Sequence, residues 1–145
     1  MELRYSKLHP DAMLYKKHEN DAGYDLKATN INVDVAKGII AYHTGIALEI
    51  PDGYVGLLFP RSSISRMQLS LANCVGVIDS TYRGEIIAKM RPTNNIDVNL
   101  VRYEVGDRVC QLLIVPLAKY NLKEVPHNEL TKTKRGEGGF GSTGN

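Results

Sequence analysis

The residues best suited to chemistry fall in a few short segments, and the richest is the C-terminal Arg135-Gly-Glu-Gly-Gly-Phe-Gly-Ser-Thr-Gly144. It combines a guanidinium that can pair bidentately with a phosphate, a glycine run exposing backbone N–H groups, and the hydroxyls of Ser142 and Thr143 beside Gly141. Phe140 adds one stacking face. Such a set can clamp a nucleotide. Gly139-Phe-Gly141-Ser-Thr-Gly144 also spells the dinucleotide pattern G-x-G-x-x-G, but no strand precedes it and only Asn145 follows, so the helix that would hold a pyrophosphate is missing. A P-loop is excluded too, because no Lys-Ser/Thr pair follows the glycines.

Pro60-Arg-Ser-Ser63 stands where a strand ends and a short helix is predicted to start, a place that favours anions, with Arg61, Ser62 and Ser63 as donors. The serines could equally be simple caps. Asp79 lies in Asn73-Cys-Val-Gly-Val-Ile-Asp79-Ser-Thr-Tyr82-Arg-Gly84, which reads as a strand entering a tight hairpin and leaving along Glu85 to Met90. An aspartate between glycines is often only a turn former, and Asp25 in Ala22-Gly-Tyr-Asp25-Leu has the same alternative reading. Gln111 lies in the apolar run Val109 to Leu117, where a buried amide must find partners.

These residues have to be positioned by strands. Period-two alternation at Ile31/Val33/Val35, Ile46/Leu48/Ile50, Ile86/Ala88/Met90 and Ile96/Val98/Leu100 predicts half-buried strands. Turn signals at Pro51-Asp-Gly53, Pro92-Thr-Asn-Asn95 and Glu104-Val-Gly-Asp107 separate them, the cadence of an all-β sandwich or barrel. The run Val109 to Leu117 predicts a strand buried on both faces. Ile64, Met67, Gln68 and Leu71 recur at helical spacing, and Ser65-x-x-Gln68 fits a capping box, so one short helix is expected there. With 145 residues, 43% of them hydrophobic, one domain is expected. It spans 1–130 and is followed by a polar, glycine-rich arm, 131–145, too poor in apolar residues to fold alone.

A net charge of +2 does not call for nucleic acid. The absence of a long apolar run or leader pattern leads us to expect no membrane partner and an intracellular, cytoplasmic protein. Cys74 and Cys110 both sit in apolar runs and are expected to be buried small hydrophobes. The four histidines lack zinc-site spacing, so any metal would take oxygen ligands.

Taken in order, Ala22-Gly-Tyr-Asp-Leu26, Pro60-Arg-Ser-Ser63, Gly76-Val-Ile-Asp-Ser-Thr-Tyr-Arg-Gly84, Gly106-Asp-Arg-Val-Cys-Gln-Leu112 and the tail resemble the five motifs of the homotrimeric dUTPase family. The resemblance implies a single-domain jelly roll that forms homotrimers with active sites at subunit interfaces. It implies hydrolysis of dUTP to dUMP and diphosphate with Mg2+, which keeps uracil out of DNA and supplies dUMP for thymidylate synthesis. By the same resemblance, Asp79 orients and deprotonates the attacking water, and Gln111 sits near the α-phosphate. Asp25 holds the magnesium through water, the metal itself resting mainly on the phosphates. Arg61, Ser62 and Ser63 cradle phosphate, and Asn73, Val77 and Ile78 read uracil through the main chain. Tyr82 packs on the deoxyribose. From the arm, Arg135 holds the γ-phosphate with help from Ser142 and Thr143, and Phe140 stacks on uracil.

The chain departs from the family at Thr81, where many members carry aspartate, and at Ser63, where many carry glycine. Ile87 stands where lysine or methionine is common. Two alternatives remain: a related dCTP deaminase, which needs a glutamate in the hairpin region, and a dUTPase-like trimer with an added regulatory protein-binding role.

Overall fold

A computed structural model of the chain describes residues 2–94 and 103–139. Among them the extended elements form two antiparallel sheets of five strands each. One holds β1 (Arg4–Lys7), β4 (Asn30–Asp34), β5 (Ile39–Glu49), β7 (Leu69–Leu71) and β9 (Glu85–Pro92). The other holds β2 (Leu14–Tyr15), β3 (Tyr24–Lys27), β6 (Tyr54–Pro60), β8 (Gly76–Ile78) and β10 (Arg108–Pro116), in the order β2-β3-β10-β6-β8. The core is drawn from both: Ile40, Tyr42, Ile46 and Met90 from the first, Leu26 and Leu112 from the second. The all-β expectation holds, and no helix among the described residues is long and apolar enough to cross a membrane.

β5 is the spine of the first sheet. Its even-numbered residues from Ile40 to Leu48 are buried, as alternation requires of a strand with one face on the core. Pairing with β9 nonetheless shifts along its length, from His43↔Ile87 to Ala47↔Glu85, so that Thr44, Gly45 and Ile46 stand opposite Ile86 alone. This is a bulge with two extra residues. Gly45 occupies it at φ 65°, and a Cβ there would come within 2.8 Å of the His9 Cβ. Its N–H donates to Glu85 Oε1 at 2.8 Å, while the buried Thr44 hydroxyl donates to Ile86 O at 2.6 Å. Side chains thus replace the ladder bonds that the bulge removes.

Several sequence expectations need correction. The expected helix is a 3₁₀ turn over Ser62–Arg66 with no side-chain cap, and Leu69 to Leu71 belong to β7. The Ser65-Gln68 box does not form, since Ser65 Oγ donates to Ser62 O at 2.8 Å. Leu71 matches helical spacing by coincidence, and its burial comes from pairing with Met90 across the sheet. β8 and β9 are not a hairpin, because β8 pairs with β6 in one sheet and β9 with β5 and β7 in the other. The segment between them is a corner from sheet to sheet. The run after Arg108 is buried on both faces only at Val109 and Cys110, and Leu117 lies beyond β10, 54% exposed. The expected strand at Ile96 to Leu100 lies outside the described residues.

Of the two cysteines only Cys110 behaves as expected. It is fully buried, and burial pushes its thiol up to about 12, so it stays protonated at neutral pH. Cys74 is exposed, at φ 61°, in a tight turn in which Val75 N–H donates to Asn73 O at 2.6 Å. Iodoacetamide at pH 8 should therefore modify one thiol of the folded chain, Cys74, and reach Cys110 only after unfolding. Peptide mass mapping reads the outcome, and labelling of Cys110 in the folded protein would contradict the burial argument.

Candidate active site

Three neighbouring strands build the first cluster. Gln111 of β10 faces Asp25 of β3 on one side and Phe59 of β6 on the other, so the register sets the amide beside the carboxylate and near the end of β6. There Arg61 turns back: its Nε donates to Asp25 Oδ1 at 2.8 Å. Arg108 Nη1 donates to Asp25 Oδ2 at 3.0 Å. The Asp25 side chain is 19% exposed and that of Arg61 22%, so solvent only partly screens the triad, which carries one net positive charge. Gln111 Nε2 donates to Pro60 O at 2.9 Å, which answers the partner question for this amide. Gly23 makes the close approach possible, since a Cβ there would lie 3.4 Å from Gln111 Oε1 and 2.9 Å from the Leu113 side chain.

Behind the arginine stands a buried support. Arg61 Nη1 reaches Ser63 Oγ at 3.5 Å, and Ser63 Oγ pairs with the Tyr103 hydroxyl at 3.3 Å. Tyr103 is 6% exposed and meets Tyr42 edge to face, its N–H donating to the Tyr42 hydroxyl at 3.0 Å. Ser62 is exposed at the start of the 3₁₀ turn, where the first N–H groups have no partner within the turn. The serines do not cap it, and Arg61 is an ion-paired residue rather than a free surface charge.

The second cluster is a pocket of about 440 Å³ whose lining includes Asn73, Val77, Ile78, Asp79 and Tyr82. It is walled by β8, which pairs with β6 on one side only and so ends the sheet as an edge. Asp79 is exposed where the chain leaves β8, and among the described residues its carboxylate has no hydrogen bond or ion pair. The corner is a turn closed by Tyr82 N–H donating to Asp79 O at 3.0 Å. Arg83 laces it by donating to Ser80 O at 2.6 Å and Tyr82 O at 2.9 Å.

The structure therefore gathers the expected residues into two groups: Asp25, Arg61, Ser63 and Gln111, with Ser62 beside them, and Asn73, Val77, Ile78, Asp79 and Tyr82. Arg135 joins neither, its Nε donating to Gly138 O at 2.7 Å within the tail. Phe140, Gly141, Ser142 and Thr143 lie outside the described residues. Sequence reasoning missed Arg108, Tyr103 and Glu85. A cation opening an apolar strand was a usable sign for Arg108, whereas nothing local marks Tyr103.

A cluster with one spare positive charge suits an anionic group, and the β8 pocket offers a strand edge and, among the described residues, an unpaired carboxylate at its rim. Residues 10–144 match the sequence model of the dUTPase family. The chain is 43% identical over 144 residues to the deoxyuridine 5'-triphosphate nucleotidohydrolase of Escherichia phage T5, covering 94% of each. Its counterpart in Cutibacterium acnes is 40% identical, over 93% of this chain and 87% of that one. The structure is similar to a substituted dUTPase of Staphylococcus bacteriophage 80alpha with dUpNHpp, with a TM-score of 0.81, 29% identity and 99% of both chains covered. The chain belongs to the dUTPase family and is a hydrolase of deoxyuridine 5'-triphosphate.

Removing the Asp25 carboxylate leaves two converging guanidiniums without their counter-charge. Asp25→Ala should lower the free energy of unfolding by about 1–3 kcal/mol, as for a broken, partly buried ionic network. Urea denaturation with an unchanged m-value measures this, and wild-type stability would show that the triad contributes nothing.

Proposed function

We propose that dUTP is cleaved between its α- and β-phosphorus, giving dUMP and diphosphate, with Asp79 as the general base. The observation that carries this reading is the Asp79 carboxylate, exposed at the rim of the β8 pocket and without a partner among the described residues. Uracil lies along the free edge of β8, where main-chain groups of Val77 and Ile78, with Asn73, meet its polar edge. A rigid backbone wall suits the task, because excluding one methyl group is worth only about 1–3 kcal/mol in a pocket that can yield. Tyr82 packs on the deoxyribose.

Arg61, Ser62 and Ser63 receive the phosphates and Gln111 the α-phosphate end, their spare positive charge favouring a polyanion. Both Asp25 oxygens already accept from arginines, and among the described residues no group of three His, Cys, Asp or Glu could hold a metal directly. Each oxygen keeps a lone pair for water, so the residues fit a magnesium ion held by the phosphates and touched only through its water shell. When bound, Mg2+ spreads the phosphate charge and fixes the chain for in-line attack. The structure of a substituted dUTPase of phage phi11 of S. aureus, with a TM-score of 0.73, 28% identity, and 90% of this chain and all of that one covered, reveals the coordination of a structural Mg(II) ion.

Among the described residues the two clusters share no hydrogen bond, and in this reading subunits of a homotrimer bring them together. The arm 131–145 supplies Arg135 to the γ-phosphate, with Ser142, Thr143 and Gly141, and Phe140 to the base. The enzyme acts on the cytoplasmic nucleotide pool.

Diphosphate release from dUTP with magnesium tests the chemistry. Asp79→Asn should still bind dUTP yet turn over at least about 100-fold more slowly, the loss expected when a general base is removed. Undiminished turnover would end its assignment. Cutting the chain after Lys134 should abolish efficient hydrolysis while moving the melting temperature little, since Arg135 to Glu137 are exposed and no described residue of the segment is buried. A large fall in melting temperature would make the segment structural instead.

A further inference from the structure

We infer that Glu85 is a positioning residue for sugar selection, holding Tyr82 in place from the β5 bulge; the inference rests on the reading that Tyr82 packs on the deoxyribose. The Tyr82 hydroxyl donates to the main-chain oxygen of Glu85 at 3.0 Å. Its ring end lies directly over Gly84, where a Cβ would collide with the Tyr82 hydroxyl and ring carbons. Glycine therefore leaves the space that the ring needs. Tyr82 itself is 46% exposed, so packing alone does not fix it.

The acceptor is held by the pairing of Glu85 with Ala47 at the very start of β9, and also by the other end of Glu85. Oε1 takes the Gly45 N–H that the bulge frees, at 2.8 Å, and Oε2 meets His43 Nδ1 at 2.9 Å. His43 Nε2 lies 3.2 Å from Asn32 Nδ2, and an amide nitrogen can only donate. The ring proton therefore sits on Nδ1 and is donated to Glu85. Both carboxylate oxygens are held by β5, the Glu85 side chain is 23% exposed, and its carbonyl is thereby fixed where the tyrosine hydroxyl needs it. The path runs from Asn32 and His43 through Glu85 to a ring at the pocket that also counts Glu85 among its walls.

The role is one of geometry and not of charge. Glu85→Gln keeps both links, because its amide can accept from Gly45 N–H and donate to His43 Nδ1 once the imidazole tautomer and the Asn32 amide reverse. Glu85→Ala loses both. Gly84→Ala displaces the ring while leaving the bulge intact.

Steady-state kinetics on dUTP and UTP with magnesium decide the matter through the ratio of the two kcat/KM values. Glu85→Ala and Gly84→Ala should each lower that ratio about tenfold, the scale of one lost hydrogen bond, mainly through KM. Glu85→Gln should stay near wild type. A wild-type ratio in Glu85→Ala, or a loss in Glu85→Gln as large as in Glu85→Ala, overturns the inference. If Glu85→Ala does not fold, His43→Ala, which removes one anchor, takes its place with the same expectation and the same refutation. Tyr82→Ala separates the two levels: if it leaves the ratio unchanged, the sugar contact itself is wrong. If it lowers the ratio while Glu85→Ala and Gly84→Ala do not, only the positioning role falls.

Discussion

Between Ile78 and Glu85 the chain must leave one sheet and enter the other, and the pocket beside β8 is lined from both sides of that crossing. β8 ends its sheet, with β6 on one side and no strand of the described residues on the other. In the stretch from Asp79 to Glu85 the Tyr82 N–H closes a turn, Arg83 ties two carbonyls and the Tyr82 hydroxyl holds a third. The Asp79 carboxylate has no partner among the described residues. A corner tied in this way suits the base role proposed for Asp79.

The Asp25 cluster obeys a different constraint, that of like charges brought together. Arg61 and Arg108 come from the ends of adjacent strands and would repel each other were Asp25 not between them. One carboxylate shared by two guanidiniums lets them converge while leaving a surplus positive charge. The backbone register of β3, β10 and β6 sets this spacing, and the Ser63, Tyr103 and Tyr42 chain carries it into the core.

Much of this was legible in the residues. Strands with one face on the core announced themselves by alternation at Ile46 and Ile86, and Gln111 stood out as an amide in an apolar run; at Ile31 and Val33 the face is only half-buried, and Val35, 66% exposed, lies beyond β4. β1 left no such sign, because all four of its residues are exposed. β7 was misread because three residues are too few to separate a period of two from a helical spacing. Cys74 sits in a turn that hydrophobicity cannot reveal. The corner at Asp79 looked like a hairpin since local sequence records a reversal and not the sheet in which the next strand finds its partner. Arg108 and Tyr103 join the site through contacts spanning 83 and 40 positions, which no motif spells out.

The bulge in β5 has a consequence for how the fold can change. Three residues against one means two extra, and two is the period of the strand, so Leu48 still faces the core and Glu49 still faces Arg4 of β1. A single surplus residue could keep those faces only by setting two neighbouring side chains on the same side. A pair of residues can therefore enter or leave this strand without turning over anything beyond it, which makes changes of two the easiest for descendants of this sequence to accept.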